Sequence, residues 1–67
     1  MDIEDARARL IRLQAERYAA VELGIEGTSP YMARLDAAIE EARAGYITSA
    51  VLEIAVLRES LAGATHG

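Results

Sequence analysis

The sequence predicts an all-α protein, a helical hairpin or small three-helix bundle that associates with itself into a larger bundle. The 67 residues include 14 alanines and no lysine, and alanine, leucine, arginine and glutamate are strong helix formers. Apolar residues recur at spacings of three and four, the period of a helix, with no sustained alternation by twos. Turn residues are confined to Gly24, the run Gly27-Thr28-Ser29-Pro30, Gly45 and the end from Gly63 to Gly67, leaving long stretches without punctuation.

The first helix is expected over about residues 3–23. Asp2 stands where a side-chain oxygen can cap free N–H groups, and Glu4 and Asp5 complement the positive end of the helix dipole. Ile3, Ala6, Leu10, Leu13, Ala20 and Val21 share a face, while Arg7, Arg9, Arg12 and Glu16 lie mainly off it. Gly24 or Gly27 supplies the stop. A second helix is expected over about 30–44. Ser29 can cap it, and Pro30 at its first position loses only an N–H that has no helical partner. Tyr31, Leu35, Ala38, Ile39 and Ala42 line its apolar face.

A break or kink is expected at Gly45. Arg43 suits a helix C-terminus, glycine can adopt the left-handed conformation beyond it, and Thr48 or Ser49 can cap a third helix over about 48–62. The opposing sign is that Ile39, Ala42, Tyr46, Ala50, Ile54, Leu57 and Leu61 keep the helical spacing straight through a glycine that costs only about 1 kcal/mol. On that alternative the last two helices are one kinked helix. Residues 63–67 read as a frayed tail, and 1–67 as one small domain.

Length turns this into a question about function. At 1.5 Å per residue the first helix is about 31 Å long, whereas an unbroken helix from Pro30 to Leu61 is about 48 Å and overhangs it by about 17 Å. From Ile47 to Leu57 the one charge is Glu53. Ala50, Val51, Leu52, Ile54, Ala55, Val56 and Leu57 wrap nearly the whole circumference there, the pattern of a helix covered on all sides. Whether the chain breaks at Gly45 or not, Ile47, Val51, Leu52, Ile54, Val56, Leu57 and Leu61 are the expected interface. Glu53 inside that stretch needs a partner, and Arg17, which takes a heptad position after Ile3 and Leu10 where an apolar residue is expected, is the candidate. A register-setting salt bridge between Arg17 and Glu53, within one chain or across a dimer, is the expectation, against independent exposure of both to solvent.

Several classes of function are disfavoured by composition. Only 21 hydrophobic residues other than alanine are present, none of them Phe or Trp, and a single core in so short a chain supplies no more than about 3 to 5 kcal/mol. Without cysteine there is no disulfide, and His66 is the single histidine. No metal or cofactor is expected, since the carboxylate pairs Glu22 with Glu26 and Asp36 with Glu40 read as a solvated acidic end. Nor is an enzyme expected: a nucleophile such as Ser29, Ser49 or Ser60 needs a positioned base, and His66 is in the tail. The net charge of −4 opposes binding to nucleic acid. The acidic start and the lack of a run near 20 apolar residues point to a cytoplasmic chain without a membrane span.

Two stretches are similar to known families. Gly45-Tyr46-Ile47-Thr48-Ser49, with Val51 and Ile54 behind it, resembles the turn of DNA-binding helix-turn-helix proteins and of ribbon-helix-helix antitoxins, which implies a small DNA-binding regulator. The helix after that turn has no arginine before Arg58, and no alternating strand precedes it. The Asp5-Ala6-Arg7-Ala8 start with Leu10, together with the Thr48-Ser49 cap, is similar to small phage head-to-tail joining proteins, which implies a structural or inhibitory role and a β-hairpin where Pro30 to Ala44 here reads as helix. The leading expectation is a non-enzymatic module that assembles with itself, and with a further protein partner as an alternative, through its C-terminal apolar helix.

Overall fold

The computed structural model describes residues 2–65, which form two antiparallel helices, α1 (Ile3–Glu22) and α2 (Pro30–Thr65). No strand occurs among the described residues. The molecule is a rod of 60 × 15 × 13 Å, and its length is set by α2, whose 36 residues correspond to about 54 Å. The 20 residues of α1 correspond to about 30 Å.

Backbone chemistry fixes the turn between them. Gly24 takes φ +80°, its N–H bonds to the Val21 carbonyl at 2.9 Å, and the Ile25 N–H bonds to the Ala20 carbonyl at 3.0 Å. That pair of reversed bonds closes the helix with a left-handed residue, which glycine adopts without a Cβ clash. At the start of α2 the Ser29 hydroxyl accepts the Met32 N–H at 3.2 Å, and the Ser29 carbonyl accepts the Ala33 N–H at 3.0 Å. Serine therefore caps the helix that proline begins, as the sequence implies. Asp2 departs from expectation. Its carbonyl accepts the Ala6 N–H at 3.0 Å, but its carboxylate makes no capping bond.

The expected break at Gly45 does not form, so the second and third helices are one. Gly45 has no positive φ and sits inside α2, with Thr48 and Ser49 as helical residues rather than caps. Breaking there would orphan as many as four carbonyls and four N–H groups, against about 1 kcal/mol for keeping one glycine helical. At the other end α2 passes through Gly63 to Thr65, beyond the expected end at 62 and into the stretch read as a tail. His66 lies outside the described residues. The turn that carries the helix-turn-helix resemblance is absent, as is a β-hairpin after Pro30.

The core lies where the two helices overlap. Ala20, Met32, Leu35 and Ile39 are buried together, with Leu10 and Leu13 packed against them, and Ala6 and Ala42 are buried further along. The alanines let the two backbones approach closely. Val21, expected on the core face, is instead 52% exposed, because the contact turns toward Ala20 next to it.

Candidate interaction surface

Sidedness changes along α2. Met32, Leu35, Ile39 and Ala42, at helical spacing, are the buried face of its first half. Past Ala50, opposite the start of α1, no described residue covers the helix, and every described side chain from Val51 to Gly63 is exposed. Six of the seven aliphatics read as an interface lie here, while Ile47, one turn earlier, is exposed on the side of α2 away from α1; the seven are between 53% exposed at Ile47 and 66% at Leu61. By helical geometry they form two stripes. Ile47, Val51, Ile54, Leu57 and Leu61 make the broad one, and Leu52 and Val56 lie on the opposite side.

Arg17 does not meet Glu53 within the chain. Its Nε donates to Asp36 Oδ1 at 2.7 Å, because the turn sets Arg17 across from the second turn of α2. Glu53 stands 17 residues past Asp36, about 26 Å along the helix, on the uncovered length. A second pair, Arg43 Nη1 to Glu40 Oε1 at 3.0 Å, runs along α2. The side chains of both pairs are near half exposed or more, so each contributes under about 1 kcal/mol.

These two pairs border an open groove of about 470 Å³ between the helices, lined by Gln14, Arg17, Tyr18, Asp36, Ile39, Glu40 and Arg43. Its charges are already matched, two arginines to two carboxylates. Asp36 and Glu40, one of the carboxylate pairs considered for a cation, each hold an arginine instead. Among the described residues no group of three or more carboxylate or histidine side chains converges, and no buried side-chain polar atom lacks a partner. On the far side of the helix pair the Tyr31 hydroxyl donates to Glu16 Oε2 at 2.9 Å. That hydrogen bond to a carboxylate, followed by slight desolvation and the carboxylate's charge, raises the phenol above its usual value.

Among the described residues no helix is long and apolar enough to cross a membrane. Sequence reasoning missed Met32, the most buried side chain, although its spacing of three and seven to Leu35 and Ile39 was available. No protein-family model matches the chain, and neither does any curated protein or solved structure.

Proposed function

We propose that the protein is a non-enzymatic assembly module that joins copies of itself through residues 47–61 of α2. The observation that supports this is the length mismatch, which leaves six large aliphatic side chains, Val51 to Leu61, exposed on the part of α2 that α1 does not reach, next to the exposed Ile47. At roughly 100 Å² each the five residues of the broad stripe offer about 500 Å² in one patch, toward the upper end of what a monomer ordinarily leaves exposed and a size often tied to interaction. At about 25 cal/mol per Å², covering that stripe stabilises an assembly by about 12 kcal/mol per copy before the entropy of association, which offsets most of it. A net affinity in the micromolar range or better follows.

Sedimentation across a range of concentrations, on the wild type and on Leu57→Glu, tests this reading. The wild type is expected to form a discrete oligomer that dissociates on dilution, and the variant to remain monomeric with its hairpin intact. A wild type that stays monomeric at all concentrations would overturn the proposal and direct the apolar stripe to a different protein.

A further inference from the structure

We infer that two copies pair their projecting helices antiparallel, about a two-fold axis near Ile54. This rests on self-association and adds the identity and direction of the partner surface.

The apolar surface of α2 turns as it leaves α1. Eighteen residues, five turns, beyond Met32, Leu35, Ile39 and Ala42 the same line carries Ala50, Glu53, Leu57 and Ser60. The remaining large aliphatics of the broad stripe, Ile47, Val51, Ile54 and Leu61, lie about 95° around the helix from that line. A partner helix therefore packs beside the direction of α1 rather than in line with it. Traced back toward Pro30, the same sector holds Asp36, Glu40 and Arg43, the charged wall of the groove. It is apolar over 47–61 and charged over 36–43.

That change of character selects the direction of pairing. A parallel pair in register would bring Asp36, Glu40, Arg43 and Arg58 each toward its own copy, and like charges placed opposite one another across an interface cost several kcal/mol. An antiparallel pair overlaps the apolar lengths alone. With the axis near Ile54, Ile47 lies beside the other copy's Leu61, Val51 beside Leu57, and Arg58 beside Ala50, about 12 Å along the axis from its equivalent. The two charged grooves then fall at opposite ends, about 42 Å apart. Five side chains of roughly 100 Å² on each copy bury about 1,000 Å² in total, the threshold for a specific interface. Leu52 and Val56 stay outside the pair.

The natural chain has no cysteine, so single replacements report on one contact each. Under copper-phenanthroline oxidation at a concentration where sedimentation shows association, Ile54→Cys is expected to cross-link to itself. Ile47→Cys and Leu61→Cys are expected to link to each other on mixing at least ten times more than either does alone. Should each of those two link to itself with no preference on mixing, the pairing is parallel and the inference is wrong. A second measurement leaves the stripe untouched. Spin labels on Arg34→Cys should lie about 60 Å apart in the antiparallel pair and within about 30 Å in a parallel one. An associated protein with the short distance overturns the geometry alone, whereas a monomer overturns self-association itself.

Discussion

Ile39 and Leu57 are aliphatic residues of equal size, five turns apart on the same line of the same helix, yet Ile39 is 6% exposed and Leu57 56%. The difference lies in their surroundings rather than in the residues. Ile39 faces Leu10 and Leu13 of α1, and Leu57 faces the space beyond the point where α1 begins. Periodicity in a sequence therefore identifies which residues want covering, while the lengths of the elements decide which are covered within the chain.

The largest effect expected from this comparison is a contrast in stability. Ile39→Ala should cost about 2 to 4 kcal/mol, enough to unfold a chain of this size. Leu57→Ala, denatured at a concentration where the protein is monomeric, should stay within about 0.5 kcal/mol of wild type. Equal losses in dilute urea denaturation would mean that the outer half is covered within the chain, and the comparison would collapse. At concentrations favouring assembly, the Leu57 variant should lose stability that the wild type gains.

The two glycines sharpen the comparison with smaller effects. At Gly45 an added Cβ meets nothing within 4 Å, so Gly45→Ala should raise stability by about 0.5 to 1 kcal/mol through helix propensity alone. At Gly24 the space is equally open but φ is +80°, and Gly24→Ala should destabilise by about 1 kcal/mol or more. Thermal melts followed by circular dichroism would show it, and a destabilised Gly45→Ala would contradict a continuous α2.

The smallest effect is in the inner half at high pH. Tyr31 is held above the usual phenol range because it donates to Glu16. The folded state keeps the phenolic proton longer than the unfolded chain does. This contribution to stability is complete below the unfolded pKa near 10 and is lost as pH rises through the higher folded value. Glu16→Gln should move the ultraviolet titration of Tyr31 downward, and an unchanged titration would show that the bond does not persist in solution.

Much of the hairpin was legible in the sequence. Leu35, Ile39, Ala42 and Ala6 follow from helical spacing, the Ser29-Pro30 start from capping chemistry, and a stop at Gly24 or Gly27 from the glycines of a turn-rich stretch, of which the structure uses Gly24. Gly45 was misread because its local signals are those of a helix end: an arginine two residues before it, and a threonine and a serine after. Continuity depends on the sum of the flanking hydrogen bonds, and no single residue encodes that sum. Arg17's partner within the chain, Asp36, was not anticipated for a related reason. Its unusual place on the core side was visible, but choosing Asp36 over Glu53 requires the register across the turn, which is set by the conformation of residues 23–29. The apolar, charge-poor stretch from Ile47 to Leu57 was visible in the sequence; that α1 stops short of Val51 and the residues after it depended on the helix passing Gly45.

A helix supported along one half and free along the other behaves as a lever. Leu61 lies 16 residues beyond Gly45, about 24 Å, so a bend of about 10° at the glycine carries it sideways by about 4 Å. The core at Ile39, on the other side of the fulcrum, would not move. The tip would thus shift by nearly the width of a side chain with Met32, Leu35 and Ile39 left in place, while Tyr46, Ser49 and Ala50, partly buried just beyond the glycine, would move with it. A rigid residue at position 45 would trade that tolerance for stiffness.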